Sequence, residues 1–338
     1  MVKKIFIKEL KEGQVLEDLF VLVEAQLVDS KNGPFWDLKF QDKTGIIYGR
    51  IWHPQSLEYS ELPSEKVVKV KGQVRSYKDR LQIVVDHLET ISIENVQNIS
   101  DLIPSSPVDP KELLAELEDL CKREINYLPW KKLCLKILRD KEIREIFLNA
   151  PAAKSIHHAY RGGLVEHTLN VAKLCVAVAS LYPELDKDIL IVASVLHDIG
   201  KGWELKGEIT FSYTDEGNLL GHIMIGLEKL ERFFKEAKDL DKEFILHLKH
   251  IILSHHGEYE FGSPKRPMTV EALVFHFLDN LDAKINSTTK IIQDLDYNDW
   301  SSYQYFLERK LFRPLSTPNE ELNKKEEIIK RCLLPLKE

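Results

Sequence analysis

The sequence predicts a multidomain α+β protein, with a small five-stranded β-barrel at the N-terminus and an all-α helical bundle after it. Three observations carry this reading. The chain has 338 residues, enough for two domains of ordinary size. Apolar residues alternate over short runs in the first part and recur at helical spacing from residue 110 onward. Between the two parts, residues 99–110 (ISDLIPSSPVDP) carry three prolines and three serines, the composition of a linker. The expected division is therefore 1–98, the linker 99–110, a helical domain over 111–315 and a tail over 316–338.

In the first part, β-branched and aromatic runs at 19–28, 35–41, 45–52, 66–77 and 80–91 read as strands. The turn-forming stretches KNGP (31–34), DKTG (42–45) and Lys78-Asp79 separate them. Residues 54–59 form a short helical insert between the third and fourth strands. Five strands with that insert follow the order of an OB-like barrel. Period-two alternation turns Leu38, Phe40, Ile47 and Ile51 inward and Phe35, Lys39, Tyr48 and Arg50 outward. Aromatic and basic side chains on such a face can stack bases and hold phosphates. Lys39, Tyr48 and Arg50 are thus candidate substrate contacts, with Arg75, Tyr77, Lys78 and Arg80 around the turn between strands four and five. Residues 1–94 hold 14 Lys and Arg against 15 Asp and Glu, so net charge adds nothing to this reading.

After the linker, helices are expected at 110–126, 129–148, 164–181, 187–200, 218–238, 241–256 and 269–293. Asp109-Pro110 supplies an N-cap and a first-turn proline, and Thr269 is the N-cap of the last helix. Residues 202–217 read as an exposed excursion. The stretch 300–338 reads as helical with a break at Pro314.

Composition excludes several classes. With 43% hydrophobic and 30% charged residues, the chain is neither disordered nor fibrous. A net charge of −7 argues against a protein that coats duplex DNA by bulk charge. Cys121, Cys134, Cys175 and Cys332 lie far apart, so neither a disulfide framework nor a cysteine zinc site is expected. Glu9, Glu12, Glu17 and Asp18 interrupt the N-terminus, so it does not read as a signal peptide. No run of 18 apolar residues suggests a membrane span. A soluble, cytoplasmic chain without a membrane partner is the expectation.

The chemistry lies in five places on the helical part: His167, His197-Asp198, His222, His255-His256 and Asp279. Neighbouring anchors are 24 to 33 residues apart, one helix plus a connection, so antiparallel helices can gather them at one end of a bundle. Imidazole and carboxylate ligands suit borderline divalent metals. An adjacent His-Asp pair can serve two ions, with the carboxylate bridging. Two ions roughly 3.5–4 Å apart clamp a phosphodiester and provide a nucleophile at neutral pH. A buried His-Asp pair without a partner would be costly, and a metal removes that cost.

The pattern H…HD…H…H…D resembles the HD-domain metal-dependent phosphohydrolases, and HDIGK (197–201) is its most recognisable element. The segments HHAYRGGLVEHTLNV (157–171), HHGEYEFGSP (255–264) and EALVFHFLDNLDAK (271–284), behind an OB-like domain, narrow the resemblance to YhaM-type 3′–5′ exoribonucleases over roughly residues 1–315. The sequence after HHG is not the GYP of cyclic-dinucleotide phosphodiesterases.

The resemblance implies an HD-domain helical bundle with two divalent ions. Manganese is the first choice, with Fe, Co, Ni, Zn or Mg as others. It implies His167, His197, Asp198 and Asp279 at the first ion, Asp198 bridging, and His222 and His255 at the second. Adjacent helical residues point about 100° apart, so of His255 and His256 one ligand is expected, His255, with His256 facing substrate or supporting a ligand from behind. Asp282, three residues after Asp279, would orient a ligand. Lys201 would hold a phosphate oxygen, and His157, His158 and Arg161 would contact the scissile or the terminal phosphate. His276 receives no role, and His53, His87, His247 and His250 read as structural.

The leading expectation is a nuclease that grips single-stranded RNA, with single-stranded DNA as a further candidate, and releases nucleoside 5′-monophosphates. The 3′-to-5′ direction comes from the resemblance alone. Two other readings are a phosphohydrolase of small or signalling nucleotides and a non-catalytic single-strand-binding protein. Self-association is an open expectation.

Overall fold

The computed structural model describes residues 1–77, 80–103, 106, 108–153, 160–207, 211–293 and 295–315. Strands β1 (Val15–Val28), β2 (Phe35–Asp42), β3 (Gly45–Ile51), β4 (Lys66–Tyr77) and β5 (Arg80–Thr90) close a barrel in the order β1-β2-β3-β5-β4. All pairs are antiparallel except β3–β5, and a 3-10 turn at Gln55–Glu58 stands between β3 and β4. This is the OB arrangement. Phe20, Leu38, Phe40, Ile47, Ile51 and Ile83 fill the barrel as the alternation requires. Phe35, Lys39, Tyr48 and Arg50 are not buried.

β1 starts four residues earlier than its apolar run. Its polar beginning is structural: Glu17 pairs with Lys69, and buried Asp18 accepts the amides of Lys4 and Ile5. The linker also contributes to packing. Leu102 and Ile103 are buried against Leu19, Val21 and Val67 of the barrel.

The helical part contains α1 (Pro110–Glu124), α2 (Leu128–Arg139), α3 (Lys141–Asn149), α4 (Gly163–Leu181), α5 (Lys187–Leu196) and α6 (Lys201–Glu204). A two-stranded ribbon follows, β6 (Leu205–Lys206) with β7 (Ser212–Tyr213), then α7 (Asp215–Glu236), α8 (Lys242–Ser254) and α9 (Val270–Gln293). Their apolar faces share one core, including Leu114, Trp130, Phe147, Leu190, Ile251 and Phe275. Asp109 and Thr269 cap α1 and α9 as expected.

Several element limits differ from expectation. The helix over 129–148 is two helices, because Asp140 leaves helical geometry and accepts the amides of Glu142 and Ile143. The helix over 187–200 ends at Leu196. α7 begins at Asp215 and kinks at Gly221, whose φ of 73° is open to glycine at little cost. The excursion over 202–217 holds α6, the ribbon and a buried Glu204. α4 is long and apolar enough to cross a membrane by length and composition, but Leu164, Val165, Leu169, Val171 and Ala172 lie in the helical core.

Two compact units divide the chain, Met1–Ala283 and Lys284–Glu338. In the second, residues 300–315 are not helical. Trp300 bridges Phe312 and Gln304 bridges Arg309, with left-handed backbone at Asn298 and Glu308 turning the chain. The tail over 316–338 lies outside the described residues.

Candidate metal centre

The apolar segments that build the bundle also deliver its polar ends to one place. His167 sits one turn into α4, and His197-Asp198 occupies the turn that ends α5. His222 follows the Gly221 kink in α7, His255-His256 follows α8, and Asp279 lies mid-way along α9. His167, His197, Asp198 and His255 are each 2% exposed or less.

These residues form two clusters. Ligand atoms of His167, His197 and Asp279 lie within 4.8 Å of one another, as do those of His222, His255 and His256. Asp198 stands between them. Its Oδ2 is 3.5 Å from His167 Nε2 and 3.4 Å from His197 Nε2. Its Oδ1 is 3.3 Å from His222 Nε2 and 3.6 Å from His255 Nε2. Each oxygen thus faces one cluster, the placement a bridging carboxylate requires.

All five imidazoles are held the same way. Nδ1 of His167 donates to Asp282 (2.7 Å), that of His197 to the Ser194 carbonyl (2.9 Å) and that of His222 to Glu204 (3.1 Å). Nδ1 of His255 donates to the Ile252 carbonyl (2.7 Å) and that of His256 to the Phe261 carbonyl (2.8 Å). A ring whose Nδ1 carries the proton leaves its Nε2 lone pair for a metal. Asp198 Oδ1, His222 Nε2 and His255 Nε2 are buried with no hydrogen-bond partner. Orphaned lone pairs of this kind are costly unless a cation meets them. The donor set therefore fits divalent metal.

Electrostatics agree. Burial opposes charge on His167, yet hydrogen bonds to Asp279 and Asp282 outweigh it and raise its pKa to about 10. His197, buried beside Asp198 and Asp279, rises to about 9. Burial would raise Asp198, but Lys201 and His197 hold it well below the carboxylate range, and His167 and His197 do the same for Asp279. Burial and the neighbouring His255 and His222 lower His256 to about 2, so it is neutral. The carboxylates draw positive charge into the first cluster, and a bound cation would take the place of those protons.

His256 differs in placement from the expectation: His255 keeps helical dihedrals after α8 ends at Ser254, yet its ring and that of His256 both reach the second cluster, with centroids 4.3 Å apart. Lys201 Nζ is 2.5 Å from Asp198 Oδ2, so its ammonium already contacts the shared carboxylate. Asp282 orients His167 as expected. Arg161 is exposed and donates to Asn149 Oδ1 at 2.9 Å. His157, His158 and Lys78 lie outside the described residues. On the barrel, Tyr48 is exposed, whereas Lys39 pairs with Glu24 and Arg50 with Asp37. His53, His87, His247 and His250 belong to neither cluster.

Two supporting residues were missed. Glu204 lay in a stretch read as exposed, and no local spacing signals its contact with His222. His276 donates from Nδ1 to the His255 carbonyl at 2.8 Å. Its ring occupies the space that a side chain at Gly257 would need, which explains the glycine after the histidine pair.

Comparison with known proteins finds a family match in the barrel and another in the helical part. Residues 164–284 match the HD domain family and residues 21–91 an OB-fold nucleic acid binding domain. The chain is 35% identical over 312 residues to the 3′-5′ exoribonuclease YhaM of Bacillus subtilis (strain 168), covering 92% of this chain and 98% of that protein. Among solved structures, the second OB-fold domain of replication protein A from Methanococcus maripaludis is 26% identical, covering 27% of this chain and 96% of its own, with a TM-score of 0.23. A crystal structure of a domain of the same protein is 23% identical, covering 27% and 97%, with a TM-score of 0.24.

Proposed function

Because the chain belongs to the family of YhaM-type 3′–5′ exoribonucleases, we propose that it shortens single-stranded RNA from the 3′ end, using two divalent ions and releasing nucleoside 5′-monophosphates. The chain is a metal-dependent hydrolase with a nucleic-acid-binding OB domain. What supports two ions is the division of Asp198, with one oxygen toward each histidine cluster. His167, His197 and Asp279 would hold the first ion, and His222, His255 and His256 the second. Bound ions would supply Lewis acidity and a nucleophile at neutral pH. Lys201, whose ammonium contacts Asp198, would hold a phosphate oxygen. The mixed imidazole and carboxylate donors favour manganese or a neighbouring transition metal over magnesium.

The test uses single-stranded RNA labelled at its 5′ end, with Mn²⁺ added to metal-stripped protein. The expected result is a ladder that shortens from the 3′ end, with 5′-monophosphates as products. A single internal cut, or equal cleavage with and without metal, would overturn the proposal. A matched DNA strand reports whether the 2′-hydroxyl is required.

A further inference from the structure

We infer that Glu204 is the positioning residue of the second metal cluster, doing for His222 what Asp282 does for His167. The inference rests on the two-ion reading above. Its basis is an asymmetry between the clusters. The first holds a carboxylate of its own, Asp279, beside the shared Asp198. Among the described residues, the second holds three imidazoles and only the shared carboxylate. A dication in a site of neutral rings lacks compensating charge. Glu204 is the anion that addresses this, one bond away.

The geometry is specific. Glu204 Oε1 accepts both the backbone amide of His222, at 3.0 Å, and its Nδ1 proton, at 3.1 Å. Glu204 is 8% exposed, and the Glu204 backbone is fixed by the Thr214 amide, which donates to its carbonyl at 2.9 Å. The carboxylate therefore fixes the ring's rotation and tautomer together and aims Nε2 at Asp198 Oδ1. A carboxylate behind an imidazole also makes that imidazole the more basic ligand. His255 and His256 have only carbonyl oxygens behind them, so His222 is the one ring of its cluster tuned by charge. Across the site, Asp282 stands in the same relation to His167. Each cluster thus has one carboxylate-backed histidine, and the two supports come from different elements, α6 and α9.

The test is Mn²⁺ titration of the metal-stripped full-length protein, read by calorimetry and electron paramagnetic resonance. Wild type should bind two ions and show the signal of a coupled pair. E204Q should weaken one ion by about 10- to 100-fold, leave the other unchanged and lose the coupled signal. D282N should weaken the other ion. Two ions bound by E204Q with unchanged affinities, or loss of the same ion in both variants, would overturn the inference and leave the two-ion reading intact. One ion bound by wild type would instead overturn the two-ion reading. Should E204Q fail to fold by circular dichroism, E204D keeps the charge on a shorter arm. It should weaken the same ion, and unchanged binding in E204D counts against the inference.

Discussion

Gly200 lies against the backbone of His222. A Cβ at position 200 would overlap the His222 carbonyl oxygen and crowd the amide of Gly226. The glycine of HDIGK is therefore the contact that lets the turn carrying His197-Asp198 approach α7 closely enough for Asp198 Oδ1 to face His222. Gly200→Ala should push α7 away at a stability cost of about 1–3 kcal/mol. It should also weaken the second ion while sparing the first. Denaturant unfolding and Mn²⁺ stoichiometry check both. A variant with two normal ions would show that this approach does not set the site.

Asp198 is the group that both clusters share, so its removal should affect both. Asp198→Ala is expected to reduce hydrolysis more than about a hundredfold, because two metal positions lose a ligand together. Oligonucleotide affinity, expected to come from the barrel face, should stay within a few fold. Single-turnover hydrolysis and fluorescence anisotropy separate the two effects. Hydrolysis within tenfold of wild type would contradict a bridging carboxylate.

The residues that gather in the two clusters were legible in the sequence because each is an ionisable residue set into an apolar run, where burial without a partner is costly. Their supports were not legible. Glu204 acts on His222 across 18 residues, through a short helix and ribbon whose polar composition reads as surface. That His255 and His256 both reach one cluster was not legible, because adjacent helical residues are expected to point about 100° apart. On the barrel, alternation fixed which way Lys39 and Arg50 point but not that Glu24 and Asp37 hold them. The stretch 300–315 failed as a helix because cross-strand aromatic contacts, Trp300 with Phe312, override local propensity.

Metal-free protein should lose stability as pH rises. His167 and His197 have folded pKa values of about 10 and about 9 against an ordinary 6.5. Their protonated pairing with Asp279, Asp282 and Asp198 is fully present below pH 6.5 and is lost as pH passes through the folded values. Asp198 and Asp279, depressed below 3.8, keep their charge throughout that window. Melting temperatures of chelator-treated protein should fall from pH 6.5 to pH 9.5. The fall should be smaller in Asp279→Asn with Asp282→Asn, which removes the carboxylates that raise His167 but leaves Asp198 beside His197. A flat profile in the parent chain would show that these protons do not stabilise the fold.

Lys3 ties the extended N-terminal segment to the barrel. Its ammonium donates to the Leu19 carbonyl at 2.7 Å, lies 3.3 Å from Asp42 and sits over the Phe20 ring. Burial pulls its pKa below the ordinary lysine value, and Asp42 and Asp18 oppose that shift. Lys3→Met leaves two buried carboxylates without their cation, at a cost of about 3–5 kcal/mol. Urea unfolding followed by barrel tryptophan fluorescence should show the loss. Hydrolysis of a dinucleotide, which needs only the helical site, should persist. Unchanged barrel stability would mean that Asp18 and Asp42 are satisfied by backbone amides alone.

The outer face of β2 and β3 should grip the strand chiefly by stacking. Arg50 is already neutralised by Asp37, so its charge is partly spent. Its guanidinium instead lies 5.4 Å from the Phe35 ring, 5.3 Å from Trp52 and 5.7 Å from Tyr77. It therefore holds an aromatic platform together beside exposed Tyr48. Base–aromatic stacking is worth about 1–3 kcal/mol per base. Tyr48→Ala with Arg50→Ala should weaken binding of a single-stranded oligonucleotide by roughly 10- to 100-fold. The salt dependence of binding should change little, since a paired arginine releases few counterions. Dinucleotide hydrolysis should stay near wild type, because Tyr48 and Arg50 belong to neither metal cluster. Equal losses on both substrates would remove the barrel face from the substrate path, and a large fall in salt dependence would make Arg50 a phosphate contact rather than an organiser of aromatic rings.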